Sequence, residues 1–148
     1  MKIGTRIVIR TVILPLLILF FNYARAQPGP KPNLFDAYPA SMDCPVTELE
    51  KAFSSVKGDP VEFIFSGNSF TGVVVASKHT FTNLRNVVIR ITNLQGTIFH
   101  ISKITNADNT NSYTGRILNL KYGDGFELKN ISGNYYLKKI KTDDVIQD

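Results

Sequence analysis

Seven prolines precede residue 61 and none follows, through to Asp148. Proline cannot donate to a ladder and is kept to sheet edges, bulges and helix starts. A long stretch without it is free to pair as strands, and here the residue types agree. From Val61 onward β-branched and aromatic residues alternate with polar ones, the period of half-buried strands. The runs are VEFIFS (61–66), FTGVVVASK (70–78), NVVIRIT (86–92), TIFHISKI (97–104), YTGRILNLK (113–121), FELKN (126–130) and YYLKKIK (135–141). Between them stand SGNS, NLQG, the polar loop NADNTNS (106–112), YGDG and SGN. Asp124-Gly125 is a short hairpin signal. Tight connections make sequential neighbours antiparallel.

Ahead of the strands, DCPVTELEKAFSSVKGD predicts a helix over 45–57. Pro45 suits a first helical turn, Asp43 stands where a cap would, and Glu48 and Glu50 favour the positive end of the dipole. Val46, Leu49, Phe53 and Val56 form one apolar stripe, and Lys57-Gly58 supply a stop. The expected class is α+β, mainly β: one N-terminal amphipathic helix on a six- to seven-stranded antiparallel meander that can curl into a partly closed barrel. A β-sandwich is the alternative architecture.

The first 26 residues read differently. Lys2, Arg6 and Arg10 precede an uncharged, mostly apolar run, Thr11 to Phe21, and then Ala24-Arg25-Ala26. A positive start, a short apolar middle and small residues at a cut site form a secretory signal. The run is too short for a bilayer span, which needs about 20 residues. Cleavage after Ala26 would leave Gln27 first. The organisation expected is a signal peptide (1–26), a Pro-rich extended segment (27–43), one β-rich domain (44–141) and a polar tail (142–148). Leu34, Phe35 and Tyr38 of the lead-in can pack onto the domain.

Removing the signal changes the electrostatics. Four of the 17 lysines and arginines lie in it and none of the 12 acids, so 13 cations face 12 acids in the remainder. An overall basic field suited to phosphate backbones is absent, which argues against nucleic acid as the partner.

The single cysteine, Cys44, excludes an intrachain disulfide. It is read as a small apolar residue, or as an intermolecular disulfide joining two copies. His79 and His100 sit in separate strand regions, short of the three or four ligands a metal site needs. No serine-elbow pattern, paired buried acids, calcium loop or Gly-rich phosphate cradle is present. No catalytic set, cofactor or metal is therefore expected. Asn130-Ile131-Ser132 is a glycosylation acceptor triplet that a turn explains equally well.

The remaining candidates concern binding. Tyr113, Arg116, Tyr122, Tyr135 and Tyr136 fall in the last three strand runs, where an exposed Tyr/Arg surface suits a partner. The leading expectation is a small secreted or periplasmic non-catalytic binding or structural module with an unknown protein partner. A carrier of a small apolar ligand is the second, since Ile64, Val73, Val75, Val88 and Ile98 are surplus apolar residues that could line a cavity, or be covered by a second copy in a homodimer. A secreted protease inhibitor with NADNTNS as its loop is the third.

Overall fold

A computed structural model describes residues 29–142. The signal-site residues Ala24, Ala26 and Gln27 and the tail from 143 lie outside the described residues. The chain divides after Pro30, and the unit from Lys31 carries the sheet. Its elements are β1 (Ser41–Asp43), α1 (Val46–Ser54), β2 (Pro60–Phe65), β3 (Asn68–Phe81), β4 (Leu84–Ile91), β5 (Thr97–Thr105), β6 (Asn111–Leu118), β7 (Asp124–Ile131) and β8 (Asn134–Lys141).

The strands form one antiparallel sheet in the order β1-β8-β7-β6-β5-β4-β3-β2. β2 to β8 are therefore a meander, as the turn spacing predicts. The meander turns at Ser66-Gly67 and Ser132-Gly133 carry positive φ at both residues (48° and 79°; 52° and 88°). That is the backbone hand that matches strand twist.

Flat, eight strands would hold the two edges about 34 Å apart. Here the Asp43 amide of β1 donates to Ser66 Oγ, just past β2, at 2.7 Å. The sheet has curled into a half-barrel. A register shift between Val74 and Ala76 interrupts the β3–β4 ladder, and such bulges sharpen bend and twist.

The concave face holds the core. Phe63, Phe65, Phe70, Ile89, Phe99, Ile101, Ile117 and Phe126 are fully buried. Their rings interlock: Phe63 stacks on Phe65 at 5.7 Å and meets Phe99 edge-on at 5.4 Å. Each such phenylalanine contributes about 2–3 kcal/mol by leaving water. Phe35 and Met42 of the lead-in are also fully buried, and Phe35 meets the Phe126 ring at 5.1 Å.

Several expectations are corrected. Among the described residues there are eight strands, because Ser41–Asp43 pairs with β8. Three residues are too few to show a period, so they read as lead-in. The helix is nine residues, not thirteen, and among the described residues β1 precedes it. Pro45 occupies its N-cap position without a side-chain cap bond, so Asp43 does not cap it. Ser55 is already extended, and the Val56 amide turns to Asp59 Oδ2 at 2.9 Å. The buried face is Leu49, Ala52 and Phe53, whereas Val46 and Val56 are 42% and 61% exposed. Asp124-Gly125 is not a turn: both residues begin β7, and the turn is Asn119–Gly123, with the Tyr122 amide on the Asn119 carbonyl. The sandwich is replaced by one curled sheet.

Candidate functional site

Two polar constellations lie on opposite faces of the sheet. On the concave side Glu50 of α1 accepts Lys103 Nζ at 3.0 Å and the Tyr113 hydroxyl. The Lys103 ammonium also sits 5.1 Å from the centre of the Phe53 ring. Arg85 of β4 donates to the Phe53 and Ser55 carbonyls at the helix end, at 2.6 and 3.4 Å. Burial, and then the Glu50 carboxylate, push the Tyr113 phenol far up, so it stays a donor. These groups clamp the helix to the sheet and are occupied with one another.

The convex face is built by the other phase of the same strands. Cross-strand register aligns Arg90, Ile98, Leu118, Gly125 and Ile140 in one row. The next row is Val88, His100, Arg116, Glu127 and Lys138. Arg116 donates from Nη2 to Glu127 Oε1 at 3.0 Å, and Lys129 pairs with the same carboxylate. Bonds from Lys129 and Arg116 outweigh burial and hold the Glu127 carboxyl below its usual range. At the end of these rows the β6–β7 turn lifts Leu120, 70% exposed. Gly96, Ile98, Leu118, Leu120 and Lys121 line an open hollow of about 500 Å³, with His100 and Arg116 at its rim. Of the other exposed apolar residues, Val46 begins the helix, Val56 follows it, Ile64 lies on β2, Phe81 ends β3, and Ile131 ends β7.

A second hollow of about 550 Å³ lies beside it, where the sheet opens. β6 and β7 pair only at Arg116–Glu127, Ile117–Phe126 and Leu118–Gly125. Beyond these they splay, although each stays paired on its other side. The Tyr135 hydroxyl reaches across from β8 and accepts the Tyr113 amide at 3.1 Å. A side chain thus satisfies an N–H that a neighbouring strand would otherwise take.

The sequence candidates separate between faces. Tyr113 and Tyr135 are 5% and 6% exposed and pack edge to face at 5.4 Å on the concave side. They are core aromatics with bonded hydroxyls, not parts of an outer surface. Arg116 is exposed on the convex face, and Tyr136 lies half-buried there under Lys138 Nζ at 5.6 Å. Tyr122 is half-buried in the β6–β7 turn, where its carbonyl accepts Thr142 Oγ1 at 2.8 Å. Alternation would have shown that Tyr113 and Arg116 point oppositely. Cys44 is 1% exposed, and burial, then Asp43 and Glu48, push its thiol far up. Its sulfur is not at the surface for a bond to another chain.

His79 aligns with Arg85 on the concave phase and His100 with Arg116 on the convex phase, so they do not converge. Among the described residues no three His, Cys, Asp or Glu side chains gather as a metal would require. Of the carrier candidates, Val73, Val88 and Ile98 occupy the convex rows, with Ile64 on the same outer phase of β2. The NADNTNS loop closes on itself, with the Asn106 amide on the Thr110 carbonyl at 2.8 Å and Asp108 holding Thr110 at 2.6 Å. Asn130 Oδ1 accepts the Gly133 amide at 2.9 Å, the turn role of that triplet.

The near-balance of charge after residue 26 hides an uneven distribution along the chain. From Leu84 to Lys141 there are nine lysines and arginines against three acids. Of those acids Asp124 is buried and Glu127 is paired. No family model, curated protein or solved structure matches the chain.

Proposed function

We propose that this chain is a small exported, non-catalytic binding module whose contact surface is the convex face of the sheet. One observation carries the reading: Ile98, Leu118 and Leu120 line a single hollow bordered by Lys121 and Arg116. An apolar patch with a charged rim on rigid strands is the usual form of a contact surface. The concave face, filled by the chain's own aromatic rings, favours this reading over a carrier with an internal cavity. The tightly closed Asn106–Thr110 turn favours it over an inhibitor presenting an extended loop.

The test is a photo-crosslinking residue in place of Leu120 in the native host, with Lys57 as the control. Lys57 is exposed in the loop after α1, away from these rows. A discrete adduct at 120, protein or small molecule by mass, with none at 57, is expected. No adduct at 120, or the same adducts at both positions, overturns the reading.

A further inference from the structure

We infer that the hollow at the end of the convex rows binds a free anionic amphiphile, a single alkyl chain bearing a carboxylate. This rests on the convex face being the contact surface and names the chemistry that fits it. The floor is aliphatic: Ile98 is 36% and Leu120 70% exposed, with Leu118 between them. Leu118 lies flat because Gly125 beneath it has no side chain, and a Cβ there would stand 2.6 Å from Leu118 Cδ2. The floor is thus an open trough rather than a ridge.

The rim supplies the headgroup contact. Lys121 is exposed, and among the described residues its ammonium has no hydrogen-bond or ion-pair partner. Arg116 uses Nε and Nη2 on Glu127 Oε1, leaving Nη1 for a second anion. Arg90 stands opposite Ile98 on the neighbouring strand, also exposed and without an ion pair among the described residues. Among the described residues Glu127 is the only acid on this part of the face, and it is already shared by Arg116 and Lys129. An apolar floor bordered by cations complements a chain that carries its own negative charge, and a neutral chain would leave those cations unanswered. A hollow admits a single chain, whereas a bilayer presents a broad surface.

The experiment titrates dodecanoate, below its micelle concentration, into methyl-labelled purified protein and follows NMR shifts. Dodecyl maltoside and acetate are controls for charge and chain. Saturable shifts at the Ile98, Leu118 and Leu120 methyls are expected, with the maltoside and acetate each at least tenfold weaker. Lys121→Glu should weaken dodecanoate at least tenfold, and so should Leu120→Ser, a change at an exposed position that leaves the core intact. Equal binding of maltoside, shifts confined to other regions, or no shifts would overturn the inference. So would binding to phosphatidylglycerol vesicles or to polyglutamate without binding of monomeric dodecanoate. A specific Leu120 crosslink together with failed dodecanoate binding would sink this inference alone, leaving the contact surface in place.

Discussion

Glu48 Oε2 accepts the Ile64 amide at 2.7 Å, joining a helix carboxylate to the backbone of the outermost strand. Lys51, one turn on, pairs with the same carboxylate at 2.7 Å and donates to the Glu62 carbonyl at 3.2 Å. Two side chains of α1 therefore do what a further strand would do for β2. A bare edge invites pairing with another chain, and this one is answered from within.

Replacing Glu48 by Ala should cost about 1.5 kcal/mol, the scale of a hydrogen bond to a charged group. It should also raise concentration-dependent self-association through β2. Chemical denaturation and sedimentation read the two effects. Burial alone would raise this carboxyl's pKa, but the bonds from Lys51 and Ile64 outweigh it and lower it. Its contribution is therefore fully present above the unfolded pKa of about 4.3 and is lost as pH falls through the lower folded value. Glu48→Gln should flatten part of the acid limb of the stability curve. An unchanged acid limb would remove the role given to this carboxylate.

Asp124 receives the Leu34 and Phe35 amides at 2.6 and 2.9 Å, from residues about ninety positions earlier. Asp124→Ala leaves both donors unanswered and should cost about 2–3 kcal/mol. Limited proteolysis should then cut within 31–38 under conditions where the parent chain is intact. Simultaneous loss of all structure, without early cleavage there, would mean the aspartate does not locally anchor the lead-in.

Tyr135→Phe keeps the ring and removes the acceptor of the Tyr113 amide. The expected cost is about 1–2 kcal/mol. Hydrogen exchange at Tyr113 should quicken, because the open seam has no strand to take over the bond. Tyr136→Phe, on the other face, is the control and should leave that amide as it was.

Cys44 should resist iodoacetamide at pH 8 in the native state and react once denaturant opens the core. Burial keeps the thiol protonated, and the thiolate is the reactive form. On a non-reducing gel the purified chain should run as a monomer. Rapid native alkylation, or a covalent dimer, would contradict the buried position.

The strands of the meander were legible because each carries its own period and its own turn, both local properties. The candidate surface was legible only in part. Arg116 and Tyr136 lie on the convex face together. Tyr113 and Tyr135 were grouped with them because residue type was read without phase. The Asp124-Gly125 pair misled for a related reason. Its composition suits a turn, but Asp124 is buried at 4% exposure because two distant amides need it.

The sequence by itself determined that a proline-free, alternating chain folds as consecutive hairpins beside one amphipathic helix. Periodicity and turn chemistry act over a few residues, so they are written where they act. Only the tertiary structure decided that β1 pairs with β8, that Glu48 completes the edge of β2, and that the β6–β7 seam opens over Tyr135. It also decided that Leu118 and Leu120 share a hollow with Lys121. Each of these depends on which surfaces meet when the sheet curls, and curl is a sum over all the strands that no single segment carries.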